Sequence, residues 1–290
     1  MEVIHATPVN ILGGSLFGIL LAALCFGALT IQTSSYYCAF PNDGRPVKLV
    51  VGVLWTLQAF QLACSAQSLY WWSVKNYNNP LALKWGTWEF SMHQINIVCS
   101  SVTVQTFFAH RVYSLSANLY VGVLVQVLVL LQLGFGTATS VKANMHLELQ
   151  VIVKESKWLF VSWLAIQAAT DIVIAIWMCL LLRRRRTGFQ KTDSVINRMV
   201  LYTISPGLVT SVLSCIDLVL FAKYGFQFGV IVICMTLGPF YSITMLINLH
   251  TRKTLQARLS TPSLFERNSM KKIIRENAEG HGRGGSRLQA

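Results

Sequence analysis

Two aspartates, Asp171 and Asp217, lie inside long apolar stretches of the sequence, where an ionisable side chain is costly and suggests function. No lysine or arginine lies in the core of these stretches, so each carboxyl group must be hydrogen-bonded, hydrated or protonated. At a helical rise of about 1.5 Å per residue, the two aspartates differ in depth by roughly 10 Å, and a direct pair is not expected. We expect Asp171 to line a water-accessible cavity together with the third apolar stretch. The alternative is a structural, hydrogen-bonded role.

Other polar residues recur at helical spacing. Glu89, His93, Asn96, Ser100 and Thr103 follow one another at steps of four, three, four and three residues, which places them on one face of a helix. The same spacing groups Gln167 with Asp171. These faces are predicted to point inward and to form an interior polar site of Asp171, Asp217, Gln167, Glu89, His93 and Asn96. Polar side chains also join membrane helices by hydrogen bonds, and that structural reading stays open.

Metal and cofactor chemistry has little support in the sequence. Glu89 and His93 are separated by one helical turn and could share a metal ion, but only His146 and Glu148 add potential ligands nearby. No motif for a nucleotide, haem or hydrolytic site is present, and the last apolar stretch has no lysine for a retinal Schiff base. We therefore predict no metal site, no cofactor and no enzymatic activity.

The elements that must position these residues are membrane-spanning helices. The chain has 290 residues, of which 53% are hydrophobic and 12% charged, far below the roughly 25% charged residues of a soluble domain. A membrane-spanning helix needs about 20 mainly apolar residues. Seven such runs predict an all-α, polytopic protein with spans at about 11–38, 48–72, 88–110, 118–141, 157–182, 198–222 and 227–249.

The positive charges predict the orientation. With seven spans, 18 of the 24 lysines and arginines fall on the side of the first, third and fifth loops and the C-terminal tail. Basic loops stay in the cytoplasm, so residues 1–10 should be extracellular and the basic tail, residues 251–290, cytoplasmic. Arg183, Arg184, Arg185 and Arg186 close the fifth span, where they complement the helix dipole and attract anionic lipids of the inner leaflet. A nucleic-acid partner is not expected, and Arg111 is interpreted as a boundary charge.

Small residues and prolines predict how the helices pack. Gly14, Gly18 and Ala22 recur every four residues in the first span, which favours close helix contact. Pro206 and Pro239 lie inside the sixth and seventh spans. A proline there is tolerated if neighbouring groups satisfy the carbonyl that it leaves free.

The segment TDIVIAIWMCLLLRRRRTGFQKTDSVINRMVLYTISPGLVTSVLSCIDLVLF, residues 170–221, resembles uncharacterised multi-span membrane proteins of mushroom-forming fungi. FFAHRVYSLS, residues 107–116, is also similar to that family. The resemblance implies that residues of about 165–252 form the domain of unknown function numbered 6534. The sequence departs from the family at Ser205 to Thr210, where ETGLLT is frequent. The resemblance implies no substrate, cofactor or catalytic residue.

The resulting functional hypothesis is a receptor-like sensor of a small extracellular molecule, located in the plasma membrane and surrounded by the lipid bilayer. It is motivated by seven spans, a polar third span, two prolines and a basic inner surface. The alternatives are a small-molecule or proton-linked transporter that uses Asp171, and a non-catalytic protein that organises lipids. The sequence does not indicate the oligomeric state.

Overall fold

The protein is described here by a computed structural model, which covers residues 8–77, 79, 82, 87–116, 118–145, 149–184, 190–225 and 227–260. These residues form seven long helices: α1 (Pro8–Ala39), α2 (Arg45–Tyr70), α3 (Trp88–Ser116), α4 (Leu119–Met145), α5 (Leu149–Arg184), α6 (Gln190–Tyr224) and α7 (Phe228–Ser260). The prediction of an all-helical fold with seven helices is confirmed. Arg185, Arg186, residues 1–7 and residues 261–290 lie outside the described residues, and so do the side chains of His146, Glu148 and Pro206.

Local sequence explains several helix ends. Pro46 stands in the first turn of α2, where its missing N–H costs nothing and its fixed φ suits a helix. After Tyr70, α2 continues as a π-helical turn, Trp71–Lys75. Gly225 ends α6 with a φ of 70°, and its N–H donates to the Phe221 carbonyl at 2.9 Å. That left-handed conformation is easily adopted only by glycine.

The helices follow one another around a ring in chain order, and α7 closes the ring against α1. Two helices also lie in the middle of the bundle. Helix α3 contacts α2, α4, α5 and α7, and α7 contacts α1, α2, α3 and α6. For α7, 72% of the spanning window is buried inside the protein, against 28% for α1. Helices α3 and α7 are therefore the elements on which an interior site must be built.

Six of the seven helices are long and apolar enough to cross a membrane. Helix α3 is the exception, because polar residues make up a large share of its length. Those residues face other helices, since Ser91, Gln94, Ser101 and Gln105 are all buried. Helix α3 can bear them because the faces that carry them meet four other helices, and not lipid. The crossing of α3 and the orientation of the bundle stay predictions. We call the end where α1, α3, α5 and α7 begin the predicted outer end, and the opposite end the predicted inner end.

The small residues of α1 lie against α7, as their spacing predicts. A Cβ atom on Gly14 would lie 3.0 Å from the Phe228 carbonyl oxygen, and one on Gly18 would lie 3.0 Å from the Met235 sulfur. Ala22 is buried as well. The backbones of α1 and α7 approach this closely because the stripe formed by Gly14, Gly18 and Ala22 has almost no side chains.

Candidate functional site

A chain of hydrogen bonds that we call the central network joins α3, α5, α6 and α7 around Asp171. Gln105 of α3 donates from Nε2 to Asp171 Oδ1 at 2.9 Å, and Tyr241 of α7 donates its hydroxyl to Asp171 Oδ2. Gln167, one turn before Asp171 on α5, donates to the Tyr241 hydroxyl oxygen at 3.0 Å and approaches Ser214 Oγ of α6 at 3.4 Å. All five residues are buried. Asp171 thus has a separate donor for each carboxyl oxygen.

A cavity of about 30 Å³ lies beside Asp171. A site needs about 10–15 Å³ of such volume to hold one water molecule, so this cavity accommodates one or two. Gln105 and Phe108 of α3 contribute to its wall, as do Thr210 of α6 and Thr244 of α7. The structure therefore places Asp171 at a water-sized cavity that α3 also lines. Whether water reaches it from either side of the membrane stays a prediction.

A second polar group stabilises α7 where Pro239 interrupts its hydrogen bonds. Proline has no N–H, so the carbonyl four residues earlier, that of Met235, loses its helical partner. Gln61 of α2 replaces that partner, because its Nε2 donates to the Met235 oxygen at 3.1 Å. The sequence predicted that neighbouring groups would satisfy such a carbonyl, and for Pro239 the structure supplies the group.

The same amide of Gln61 contacts His93. Its Nε2 lies 3.2 Å from His93 Nε2. A carbonyl oxygen can only accept, so Gln61 must present its NH₂ group to Met235, and His93 Nε2 must then accept the second proton of that group. The imidazole proton therefore lies on Nδ1. His93 also lines a cavity of about 20 Å³ together with Gln94 and Cys234, in the half of the bundle nearer the predicted outer end.

Gly238 makes this arrangement possible. A Cβ atom at this position would lie 2.3 Å from Gln61 Oε1, closer than atoms can pack, and 3.1 Å from Gln58 Oε1, a tight contact. Gln58 itself donates to Ser100 Oγ of α3 at 2.8 Å. Two glutamine side chains of α2 therefore occupy the space that a side chain at position 238 would fill.

Asp217 differs from Asp171 in its surroundings. It is fully buried, and Cys234 of α7 lies with its Sγ 3.2 Å from Asp217 Oδ2. A thiol is a weak donor, and Asp217 Oδ1 has no hydrogen-bond partner in the structure. The two aspartates have different partners and do not form a pair with each other.

The other predicted site residues do not join these groups by the hydrogen bonds of the structure. Asn96 donates to the Met92 carbonyl of its own helix at 2.8 Å, and Glu89 is buried in the first turn of α3. Arg183 and Arg184 are exposed in the last turn of α5. Across the described part of the chain, no three His, Cys, Asp or Glu side chains are grouped to hold a metal ion.

Three side chains of the interior were missed from the sequence. Gln105 lies off the face predicted for α3, whereas Thr103 of that face is only half-buried. Gln132 of α4 donates to Ser101 Oγ at 2.8 Å, so the polar interior includes a helix from which no polar site residue was predicted. Arg111, interpreted as a boundary charge, is partly buried and donates to Asn248 Oδ1 of α7, a partner that was not predicted.

The central network draws its acid, its tyrosine and its serine from the last three helices, and this part of the chain matches a family of unknown function. Residues 167–254 match the family of unknown function DUF6534. The predicted domain at about 165–252 is thereby confirmed as a domain of unknown function. Comparison with curated proteins and with solved structures finds no match.

The DUF6534 segment does not contain the whole of either polar group. It supplies Asp171 and Tyr241, but the donor Gln105 lies before it. It supplies Met235 and Pro239, but Gln61 and His93 lie before it as well. Each group is therefore completed by helices that precede the DUF6534 segment.

Proposed function

We propose that this protein is a receptor-like sensor in the plasma membrane, in which a small extracellular molecule changes the arrangement of α7. The observation that carries the proposal is the bond between Gln61 and Met235. It links His93, in the half nearer the predicted outer end, to the α7 carbonyl that Pro239 leaves free. The proposal includes no enzymatic reaction.

A continuous series of contacts leads from there towards the predicted inner end. Tyr241 follows Pro239 by two residues on α7 and donates to Asp171, to which Gln105 of α3 also donates. Two helical turns after Tyr241, Asn248 of α7 accepts a hydrogen bond from Arg111 of α3. A ligand that displaces His93 or the start of α7 has a packed route by which to shift these contacts. Coupling between distant sites requires such an element with two arrangements.

The small size of the cavities supports sensing over conduction. The cavities beside His93 and Asp171 measure about 20 Å³ and 30 Å³. In the half nearer the predicted outer end, the rings of Phe160 and Phe221 lie only 4.2 Å apart and Trp163 is fully buried. Among the described residues, this aromatic packing and the two small cavities support transmission by contact over passage of a solute.

The test uses a fluorescent probe near the predicted inner end. Tyr113, which is exposed near the end of α3, is replaced by cysteine and labelled, in a background where the exposed Cys38 and Cys215 are serines. A library of small molecules is then screened in proteoliposomes for thermal stabilisation and for a change of probe emission. We expect compounds that do both.

The variant Gln61→Leu should keep the thermal stabilisation and lose the emission change. Gln58→Leu is the matched control, because Gln58 lies one turn away on the same helix and binds Ser100 instead of α7. A library without any stabilising compound would count against a sensor. An emission change that survives Gln61→Leu would rule out the proposed route through Met235.

A second candidate is a proton-linked transporter, favoured by the water-sized cavity at Asp171. An acidic side chain within a span that borders a water-sized cavity is typical of proton relays. Proteoliposomes with a pH gradient and an internal pH dye would show this activity as solute-dependent proton flux that Asp171→Asn abolishes. Flux that is equal in Asp171→Asn would exclude Asp171 as the carrier of the proton.

A further inference from the structure

A groove of about 490 Å³ lies on the outside of the bundle between α1 and α2, apart from the two interior cavities. Its walls include Leu12, Leu16 and Ile19 of α1, together with Ala66, Tyr70 and Ser73 of α2 and its π-helical turn. Leu16 and Tyr70 are about half exposed. Only 28% and 33% of the spanning windows of these two helices are buried inside the protein, so the groove opens towards the lipid.

The groove forms because α1 separates from α2 towards the predicted outer end. In the half nearer the predicted inner end, Trp55 of α2 donates to Thr30 Oγ1 of α1 at 3.1 Å, and its ring lies 5.7 Å from that of Phe26. Nearer the predicted outer end, Gly14 and Gly18 hold α1 against α7 instead. The groove is the space that α1 leaves beside α2.

The length of the groove fits one leaflet of a membrane. Leu12 and Ile19 are separated by seven helical steps, which correspond to about 10 Å, and one leaflet contributes about 15 Å to a hydrocarbon core of roughly 30 Å. Lys75 and the exposed Tyr77 follow the groove at the predicted outer end. The rim of the groove at that end is therefore expected at the level of the lipid headgroups.

Two hydroxyl groups lie towards this rim. They belong to Tyr70 and Ser73, and neither has a hydrogen-bond partner among the described residues. None of the side chains that line the groove is charged. Ser73 belongs to the π-helical turn, in which Trp72 is buried with its ring 6.4 Å from that of Phe90. Such turns are rare and frequently occur at functional sites.

These features define the chemistry of the occupant. A matching molecule of the bilayer is mainly hydrocarbon, and its polar part is small, uncharged and able to form hydrogen bonds. A phosphate headgroup finds no lysine or arginine among the lining side chains. A flexible acyl chain loses conformational freedom when it is held in one place, whereas a rigid ring system loses little. A sterol, with fused rings and a single hydroxyl group, meets both conditions.

We propose that the groove between α1 and α2 is a binding site for a membrane sterol, whose hydroxyl group bonds to Tyr70 and Ser73 and whose rings cover Leu16, Ile19 and Ala66. The site goes beyond the proposed sensor function, because it uses none of the interior polar groups on which that function depends. Either proposal can therefore fail without the other.

The experiment uses the full chain in phosphatidylcholine proteoliposomes that contain a cholesterol analogue with a photoreactive diazirine in its rings. After irradiation, mass spectrometry of peptides identifies the labelled residues. We expect labels within residues 12–19 and 66–74, and we expect unlabelled cholesterol to remove them by competition. The mirror-image enantiomer of cholesterol should compete less well, because a protein site is chiral.

Two exposed alanines of α2 provide a variant and its matched control. Ala66→Phe places a ring in the groove and should reduce labelling to background. Ala63→Phe, about one turn earlier and outside the lining, should be labelled like the parent. Ser73→Ala should raise the cholesterol concentration for half-competition by about five-fold, the factor that corresponds to one hydrogen bond of about 1 kcal/mol.

Three results would overturn the proposal. The first is labelling that Ala66→Phe leaves unchanged. The second is equal enrichment of the same residues by a phosphatidylcholine probe with a diazirine in its acyl chain, which would assign the groove to bulk lipid. The third is a disulfide-linked dimer of Val74→Cys, at an exposed position of the groove, with Cys38 and Cys215 changed to serine. That dimer would assign the groove to a second copy of the chain.

Discussion

The side-chain amide of Gln61 donates to the main-chain oxygen of Met235 at 3.1 Å, and so replaces the helical N–H that Pro239 lacks. The bond crosses from α2 to the most buried helix of the bundle. It also explains why a glutamine is held in an interior where its own Oε1 has no partner. The Gln61 side chain thus supplies the hydrogen bond that α7 loses at Pro239.

This hydrogen bond predicts that substitutions at Gln61 and Pro239 are coupled in their effects on stability. Gln61→Leu leaves the Met235 carbonyl buried without a donor, which should lower the free energy of unfolding by about 1–3 kcal/mol. In a Pro239→Ala background the helix regains its own N–H, and the loss from Gln61→Leu should become smaller. A double-mutant cycle by chemical unfolding in detergent measures this difference. Equal losses in the two backgrounds would mean that Gln61 stabilises the protein through His93 and not through Met235.

The two aspartates should respond differently to the same substitution. Asp171 accepts one donor on each oxygen, so the amide of Asp171→Asn would face the proton of Gln105 or of Tyr241. The free energy of unfolding should fall by about 1–3 kcal/mol. Asp217→Asn loses no bond, because its new carbonyl can still accept from Cys234, and a change below about 1 kcal/mol is expected. Melting curves check both values; a larger loss for Asp217→Asn would contradict the assignment of partners.

A glycine on α4 offers a sharp test of the packing between α3, α4 and α5. A Cβ atom on Gly136 would lie 2.5 Å from Val98 Cγ2 and 3.0 Å from Trp163 Nε1. Gly136→Ala should therefore destabilise the protein by about 1–3 kcal/mol through overpacking. Gly134→Ala is the control two residues away, where a Cβ atom meets nothing within 4 Å. If both variants melt at the parental temperature, α4 does not approach α3 and α5 as closely as described.

The orientation can be measured with single cysteines. Tyr77 is 84% exposed beyond the π-helical turn, and Asn42 is exposed in the connection between α1 and α2. With Cys38 and Cys215 changed to serine, Tyr77→Cys should react with a membrane-impermeant maleimide on intact cells. Asn42→Cys should react only after permeabilisation. The reverse pattern would place the N-terminus in the cytoplasm, against the distribution of basic residues.

The sequence was sufficient to predict the helices and many of their inward faces, because hydropathy and the 3.6-residue period are properties of a single helix. Gln167 and Asp171 are buried side by side on α5 as that period requires. Helix α3 was predicted less well. It contacts four other helices, so Gln105, off the predicted face, is as deeply buried as His93 on it.

Partners across the bundle could not be predicted, because they depend on the rotation and depth of two helices at once. The pairs of Gln105 with Asp171 and of Arg111 with Asn248 join residues 66 and 137 positions apart. Pro239 was the exception. A proline inside a helix leaves the carbonyl four residues earlier without its N–H donor, so the sequence indicated that another donor was needed. It did not indicate that this donor is Gln61.

The close packing of α1 against α7 has a consequence for how the protein is made. Helix α1 precedes the other six described helices in the chain, but the surface that its glycines fit, around Phe228 and Met235, lies on α7, the last of them. During translation the stripe of Gly14 and Gly18 must therefore remain against lipid or an insertion chaperone. The ring can close only when α7 has been made, so the contact between α1 and α7 forms after the chain has been synthesised as far as α7.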